Sequence, residues 1–353
     1  MMEKQIYAAV DANINRAMEG IRVCEDIMRF CLHRTDFSTR LKAIRHRVAE
    51  AARRFNQGLL LHGRDVEADA QKFIDLDGGR TRESLADLFA ANLHRAMEAV
   101  RSLEEFGKLE SPNVKDNPFQ EIRFSMYSLE RELIPLMKKQ DKMSRFSRAL
   151  YAVLDRGHVP EDEYCEAAIK MIRGGSAIIQ LRMKSGSKKE ILKAAKDVAQ
   201  LCRSEKVLFI VNDHPDIAVL SGAGGVHLGW NDLGARDVRK LIPPEMIIGL
   251  TTYSYDHAIR AIEEEPDYIA IGPVFDTSYD TGREWVNLKG QGTEPISRVR
   301  AAIQVPLVAI GGITAANVAE VIGAGADAVA VSSYIYRDIN IEMNCRSIVQ
   351  ALI

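Results

Sequence analysis

Short apolar runs rich in β-branched residues alternate with helical segments over the second half of the chain. No GxGxxG turn follows the first run, so the pattern does not favour an open dinucleotide-binding sheet. Eight strand–helix units within about 205 residues instead predict an α/β fold, a (β/α)8 TIM barrel. The predicted strands are 149–154, 177–182, 207–212, 224–228, 246–251, 267–271, 306–310 and 327–331.

The first half has few glycines and a helical period, which predicts an all-α helical bundle. The candidate helices are 10–34, 37–57, 82–108 and 117–139. The predicted domains are therefore a helical bundle over 1–140, a polar linker over 141–148 and a barrel over 149–353.

The helical half contains an internal repeat, because residues 11–30 parallel residues 90–109. Two such helices facing each other would build a polar pocket from the shared polar positions. The alternative is a duplication preserved for packing, with its charges paired at the interface. The predicted pocket residues are Asn13, Arg16, Glu19, Arg22, Asn92, Arg95, Glu98 and Arg101.

Composition excludes several classes of function. The 47 Lys+Arg and 49 Asp+Glu residues give a net charge of −2, so no nucleic-acid partner is expected. No apolar run approaches the ~18 residues of a membrane span, and the first residues lack a signal peptide's apolar core. The five cysteines form no CxxC pair and are expected to be reduced, buried thiols of a cytoplasmic protein.

Polar residues follow almost every predicted strand, where a barrel has its active site. Arg182 and Lys184 alternate after the second strand, and Asp213 and Asp232 follow the third and fourth. Two cations beside two carboxylates indicate a diphosphate bound with Mg²⁺. Taken singly, these residues also fit surface ion pairs or a helix cap.

A second polar group follows the seventh and eighth strands, where many barrels bind a phosphate through backbone N–H groups. It consists of Gly312, Ser332 and Ser333. The Gly311–Gly312 pair taken alone also fits a tight turn. Together the two groups predict a site for two phosphorylated ligands, one of them a diphosphate.

With these residues in view, the second half resembles thiamine-phosphate synthase. The motifs that carry the resemblance occur in order: 180–184, 211–213, 225–229, 248–251, 272–275, 309–314 and 329–333. The resemblance implies condensation of hydroxymethylpyrimidine diphosphate with thiazole phosphate, or its carboxylate, to give thiamine phosphate and pyrophosphate. The resemblance implies that the pyrimidine diphosphate is bound by Gln180, Arg182, Lys184, Asn212, His227 and Thr251. It implies that Mg²⁺ is bound by Asp213 and Asp232. It implies that the thiazole phosphate is bound by Thr277, Gly312, Ser332 and Ser333.

Two positions depart from the family pattern. Trp230 stands where the family usually has Gln, and Asp280 stands where it has a lysine that would touch the diphosphate. Arg283 or Lys289 is a candidate replacement cation. The altered loop leaves two alternatives open, a thiazole tautomerase barrel and a non-catalytic binding protein of the same pathway.

The helical half resembles a domain found fused to, or encoded beside, thiamine-phosphate synthases and associated with the pyrimidine phosphate. It has no Walker loop and no kinase signature. Binding or channelling of the pyrimidine phosphate, and dimerisation into a homo-oligomer, are therefore equally allowed.

Overall fold

The computed structural model describes residues 2–63, 82, 84–110, 117–280 and 285–353. The chain divides into two compact units, Met1–Lys138 and Lys139–Ile353, which are described separately below. Over the described residues, no helix combines the length and the apolar character needed to cross a lipid bilayer.

The first unit is helical. The helices of the described residues up to Ser144 are α1 (Met2–Asp26), α2 (Thr35–Ala52), α3 (Gln57–Gly63), α4 (Leu85–Glu110) and α5 (Pro118–Ser144). Helix α1 continues into a π-helical turn, Ile27–Cys31, and packs against α2, α3 and α4. Gly20 lets α1 and α4 approach closely, since an added Cβ would lie 2.6 Å from the Asn92 carbonyl oxygen.

The linker predicted over 141–148 stays a prediction, but its first half is helical, because α5 continues through Ser144 and not only to the predicted residue 139. This stretch is polar but contains good helix formers and no Gly or Pro, so polarity did not mark the end of the helix. Met143 and Phe146 also have an apolar role, since they pack against Tyr151 and Tyr268 of the barrel.

The second unit is a closed barrel of eight parallel strands, which confirms the predicted fold. The barrel strands are β1 (Ala149–Asp155), β2 (Ile178–Arg182), β3 (Leu208–Asn212), β4 (Gly225–Leu228), β5 (Ile247–Thr252), β6 (Tyr268–Ile271), β9 (Leu307–Ile310) and β10 (Ala328–Val331). Each predicted strand is present within one residue at either end. Around the barrel the strand order is β1-β10-β9-β6-β5-β4-β3-β2.

An antiparallel hairpin, β7 (Thr277–Asp280) and β8 (Trp285–Leu288), is inserted between β6 and β9. The sequence predicted a loop here. Helices α6 to α13 surround the strands: Tyr164–Arg173, Lys188–Ser204, Pro215–Ser221, Ala235–Arg239, Tyr255–Ile262, Glu294–Ala302, Val318–Gly323 and Ile341–Leu352. Two 3₁₀ segments are Glu161–Glu163 and Ser333–Ile339.

Strand residues alternate between the helix-facing core and the barrel interior. In β1, Leu150 and Leu154 pack against the helices, whereas Tyr151 belongs to the interior. The same alternation brings Val153 and Asp155 to the wall of the cavity at the carboxyl ends of the strands. The interior is therefore apolar and aromatic at one end of the barrel and polar at the other.

The cysteines are all free thiols. Cys24, Cys202 and Cys345 are buried, and burial raises the pKa of the Cys202 and Cys345 thiols to about 12. Cys31 and Cys165 are exposed, so the expectation that all five are buried is wrong for these two. Each lies in a helical segment on a solvent-facing position that periodicity alone did not identify.

Candidate active site

The carboxyl ends of the barrel strands surround a cavity of about 580 Å³. Asp232 is not part of its wall, and Arg283 lies outside the described residues. The remaining barrel residues predicted from the sequence all line it: Gln180, Arg182, Lys184, Asn212, Asp213, His227, Thr251, Thr277, Lys289, Gly312, Ser332 and Ser333.

Arg182 is held in the cavity wall by Asp155, a partner that sequence reasoning missed. The two residues are register neighbours at the ends of β2 and β1, and Arg182 Nη1 lies 2.6 Å from Asp155 Oδ2. The other carboxylate oxygen accepts from the Gly157 backbone N–H at 2.9 Å. A carboxylate at the end of the neighbouring strand was the signal that could have identified this pair.

Lys184 makes the second ion pair of the wall, with its Nζ 2.6 Å from Asp213 Oδ2. Asp213 has a left-handed backbone with a φ of 62°, which is unfavourable for a residue other than Gly, Asn or Asp. Its backbone N–H donates to the His227 carbonyl at 2.8 Å, and this bond holds the turn against the neighbouring strand. An aspartate fits this left-handed position, and its carboxylate pairs with Lys184.

Asp213 and Asp232 form a pair of interacting carboxyl groups with opposite pKa shifts. Burial raises the pKa of Asp213, but the hydrogen bond and charge of Lys184 outweigh burial and hold that pKa below its usual value. Burial and the negative charge of Asp213 raise the pKa of Asp232. The Gly229 backbone N–H donates to Asp232 Oδ2 at 2.7 Å and orients this carboxyl group.

The opposite rim of the cavity is built from backbone. Gly311 and Gly312 follow β9 with φ values of 103° and 64°, and a Cβ on Gly312 would lie 2.7 Å from both Asp276 O and Phe275 Cβ. Ser332 and Ser333 follow β10, where the 3₁₀ segment begins. Glycine turns and a helical N-terminus present backbone N–H groups suited to a phosphate.

A chain of buried hydrogen bonds connects two residues of the cavity wall through the barrel interior. Gln180 Nε2 donates to Tyr151 Oη at 3.0 Å, and Tyr151 Oη lies 3.0 Å from Tyr268 Oη. Tyr268 Oη lies 2.9 Å from His227 Nδ1, and His227 Nε2 lies 2.7 Å from Thr251 Oγ1. Burial lowers the pKa of His227 to about 4, so the ring is neutral at pH 7. The sequence indicated neither tyrosine, since each reads as an apolar strand residue.

Comparison with known proteins agrees with this geometry. A family described as thiamine monophosphate synthase matches residues 150–335, and one described as the ThiD2 family matches residues 8–132. The thiamine-phosphate synthase of Prochlorococcus marinus subsp. pastoris is 34% identical over 330 residues, which cover 93% of this chain and 90% of the relative. The chain belongs to the thiamine-phosphate synthase family.

Other members of the family show the same extent of similarity. The thiamine-phosphate synthase of Nostoc sp. PCC 7120 is 34% identical over 94% of this chain and 89% of its own length. The solved structure of the thiamine phosphate pyrophosphorylase from Pyrococcus furiosus is 30% identical, with a TM-score of 0.53 over 59% of this chain and 97% of that chain. That structure corresponds in length to the barrel alone.

Of the two departures from the thiamine-phosphate synthase pattern, Trp230 is exposed and packs edge-on against the His257 ring. Asp280 is the last residue of β7 and lies opposite Trp285 in the hairpin. The candidate replacement cation Lys289 follows the hairpin, lines the cavity and has a side chain that is 95% exposed, with its Nζ 3.7 Å from Asp276 Oδ2. Among the described residues, this long ion pair is the one that holds the Lys289 side chain.

In the helical unit of this thiamine-phosphate synthase family member, the repeat is visible as matched contacts. Asn13 Nδ2 and Asn92 Nδ2 each donate to the backbone carbonyl four residues earlier, both at 2.8 Å. Arg22 and Arg101 each pair with the buried carboxylate three residues later. That carboxylate, Glu25 or Glu104, is also held by an arginine of another helix, Arg45 at 3.0 Å or Arg123 at 3.1 Å.

The remaining predicted pocket residues of the repeat, Arg16, Glu19, Arg95 and Glu98, are exposed. The packing alternative accounts for the contacts of Arg22 and Arg101, and a pocket shared by all eight residues stays a prediction. A cavity of about 420 Å³ in the described part of this unit has a different lining: Met18, Arg45, His46, Ala49, Glu50 and Arg53.

Proposed function

We propose that the barrel joins hydroxymethylpyrimidine diphosphate to thiazole phosphate, giving thiamine phosphate and pyrophosphate. One observation carries the proposal for this family member. A single cavity has two ion-paired cations and Asp213 at one end, with Asp232 behind its wall, and a glycine and serine rim at the other. Each end suits one of the two phosphorylated substrates.

At the first end, Arg182 and Lys184 would bind the diphosphate together with Asn212 and Thr251. Arg182 and Lys184 are already oriented by Asp155 and Asp213, so little side-chain entropy is lost when the ligand binds. Fixed cations stabilise the negative charge that develops on the pyrophosphate as it leaves.

The carboxyl pair fits Mg²⁺. Two adjacent carboxylates repel each other, as the raised pKa of Asp232 shows, and a divalent cation would relieve that repulsion. Among the described residues no group of three or more His, Cys, Asp or Glu side chains forms a metal cluster, so the protein would supply two ligands, Asp213 and Asp232. Such a partial set matches Mg²⁺ bound jointly by carboxylates and substrate phosphates. When bound, the ion would neutralise charge on the diphosphate.

The reaction requires no nucleophile from the protein. The bond between the pyrimidine methylene carbon and the diphosphate oxygen breaks, and its electron pair leaves with pyrophosphate. The thiazole nitrogen lone pair then forms the new C–N bond. The residues of the cavity therefore have two tasks, binding the leaving group and holding the two rings in line for reaction.

At the second end, Gly312, Ser332 and Ser333 would bind the thiazole phosphate, with Thr277 on the neighbouring hairpin. The backbone N–H groups of this rim are its donors. A thiazole phosphate with an extra carboxylate is equally compatible with this rim. Ser333→Asp is expected to raise the KM for thiazole phosphate through like-charge repulsion; an effect confined to the pyrimidine substrate would mean that the two sites are exchanged.

Lys289 fits the role of replacement cation because it lines the cavity and is exposed enough to move. Its flexible ammonium group would reach the diphosphate in the place of the family lysine that Asp280 replaces. Arg283 lies outside the described residues.

A thiazole tautomerase or a non-catalytic binding protein would use only the thiazole phosphate end. Neither alternative function requires Arg182 and Lys184 to be oriented at the cavity wall by buried or half-buried carboxylates. The ion pairs of the cavity wall therefore favour the synthase.

We also propose that the helical unit binds the pyrimidine phosphate for the barrel, since residues 8–132 match the ThiD2 family. The free thiols and the biosynthetic reaction suit a cytoplasmic protein. Titration of the full chain with hydroxymethylpyrimidine phosphate tests the binding. An Arg16→Ala, Arg95→Ala double variant that binds as tightly as the wild type would exclude the exposed repeat positions.

Pyrophosphate release by the full chain tests the barrel activity. The assay contains hydroxymethylpyrimidine diphosphate, thiazole phosphate and Mg²⁺, and each is omitted in turn. Release that requires all three, with thiamine phosphate as product, is the expected result. Absence of release from a protein that still binds thiazole phosphate would contradict the proposal and favour the tautomerase.

A further inference from the structure

Tyr151 and Tyr268 are polar groups in an otherwise apolar barrel interior, and the proposed reaction assigns them no role. Both side chains are fully buried, and both hydroxyl groups belong to the chain that runs from Gln180 to Thr251. Neither tyrosine lines the cavity, whereas Gln180 and Thr251 both do. Gln180 and Thr251 do not bond to each other in the hydrogen bonds described above. The two tyrosines and the imidazole of His227 connect them.

The chain has two consistent arrangements of protons, because each hydroxyl group carries one proton and a neutral imidazole carries one. In the first, Gln180 donates to Tyr151, Tyr151 to Tyr268, and Tyr268 to His227 Nδ1. His227 Nε2–H then donates to Thr251, which leaves the Thr251 proton for the cavity. In the second, every bond is reversed, and the carboxamide of Gln180 must turn so that its oxygen accepts from Tyr151.

We propose that this chain is a proton-ordered network that couples the two ends of the pyrimidine diphosphate site, with Tyr151 and Tyr268 as positioning residues. The inference rests on the proposed function. A diphosphate oxygen accepts hydrogen bonds and donates none, so it selects the arrangement in which Thr251 donates. That arrangement occupies an amide proton of Gln180 and leaves its carbonyl oxygen as the acceptor.

The network thus matches an acceptor at Thr251 with a donor at Gln180. The exocyclic amino group of an aminopyrimidine is such a donor. The second amide proton of Gln180 stays free, so the selection acts at its carbonyl oxygen: a ring with a carbonyl oxygen facing that atom would require the reversed arrangement and would oppose the diphosphate. Selection of the pyrimidine ring and binding of the diphosphate therefore become mutually supportive through His227 and through Tyr151 and Tyr268, which do not line the cavity.

Calorimetric titration of the full chain with two separate fragments tests the coupling. The fragments are pyrophosphate with Mg²⁺ and 4-amino-2,5-dimethylpyrimidine, each titrated alone and in the presence of the other. In the wild type we expect each fragment to tighten the other by at least about fivefold, by the same factor in both directions.

Tyr151→Phe and Tyr268→Phe each remove one hydroxyl group and keep the ring. Both are expected to reduce the coupling factor to near one, and the double variant is expected to lower it no further, because one break interrupts the chain. Tyr164→Phe is the matched control. Its ring is equally buried, and its hydroxyl group has no hydrogen-bond partner in the described part of the chain, so the factor should be unchanged.

A coupling factor of one in the wild type overturns the network, and this result does not depend on the folding of either variant. A wild-type coupling factor that is retained in folded Tyr151→Phe and Tyr268→Phe variants also overturns it. The two failures are distinguishable. A wild type that makes thiamine phosphate without coupling its fragments contradicts the network alone. A wild type that couples the fragments but releases no pyrophosphate contradicts the proposed function alone.

Discussion

Gly312→Ala is the substitution whose effect can be worked out most fully from the structure. Gly312 has a φ of 64°, and an added Cβ would lie 2.7 Å from Asp276 O and from Phe275 Cβ. The left-handed backbone costs an alanine about 1–2 kcal/mol, and relieving the overlap costs about 1–3 kcal/mol more. We therefore expect the barrel to lose about 2–5 kcal/mol of stability or to displace this rim.

Displacement of the rim would act on one substrate. A shift of about 1 Å in a positioning group can cost about 100-fold in rate, so the kcat/KM for thiazole phosphate is expected to fall 10- to 100-fold. The KM for the pyrimidine diphosphate, whose proposed site is at the other end of the cavity, should change less than about threefold. Steady-state assays with one substrate varied at a time, together with thermal unfolding, measure both effects.

Gly323→Ala is the matched control. This glycine ends α12, and an added Cβ would have no atom within 4 Å. We expect unchanged kinetics and a stability gain of up to about 1 kcal/mol from helix propensity. Wild-type stability and wild-type use of thiazole phosphate in Gly312→Ala would refute the reasoning, as would equal losses for both substrates.

Three further predictions concern the metal, the buried histidine and the replacement cation. Asp213→Asn and Asp232→Asn should each raise the Mg²⁺ concentration for half-maximal activity at least about tenfold; an unchanged Mg²⁺ titration in both would exclude the metal assignment. The pKa of His227, about 4, lies below the usual 6.5, so the unfolded chain binds more protons between these values and stability falls as pH drops from 6.5 to 4. At about 1.4 kcal/mol per pKa unit this loss is about 3 kcal/mol, and His227→Asn should lack it in denaturant unfolding measured at both pH values. Lys289→Ala should lower kcat/KM for the pyrimidine diphosphate about tenfold or more. The control Lys240→Ala removes an exposed lysine outside the cavity wall and should leave kcat/KM unchanged. Equal kinetics in both lysine variants would reject Lys289 as the replacement cation.

The barrel could be predicted from the sequence because its strands are buried on both faces and are separated by regular helices. The strand run over 207–212, for example, is apolar up to Asn212, and the polar residue marks the rim. Parallel strands place all their carboxyl ends on one face, so Arg182, Asp213 and Gly312 could be assigned to one cavity without coordinates.

Other features depend on which residues become neighbours when the barrel closes. Asp155 at the end of the neighbouring strand was a visible candidate partner for Arg182, but the pairing depends on the register of β1 and β2. Tyr151 and Tyr268 are 117 positions apart in sequence, and their hydroxyl groups meet only inside the closed barrel. The end of α5 was predicted too early for a different reason, since polarity and helical structure are compatible on a surface such as that of α5.

The charges of the cavity would explain why the proposed diphosphate binds together with a metal. Among the described residues of the wall, Arg182 and Lys184 are each neutralised by a carboxylate, which leaves Lys289 as the cation with the weakest partner. A diphosphate ester carries about three negative charges at neutral pH, more than one mobile lysine can balance. A divalent ion bound at Asp213 and Asp232 would supply the missing positive charge at that end of the cavity. In this proposal the two ion pairs mainly position the cations, and the metal and Lys289 would balance the charge of the diphosphate.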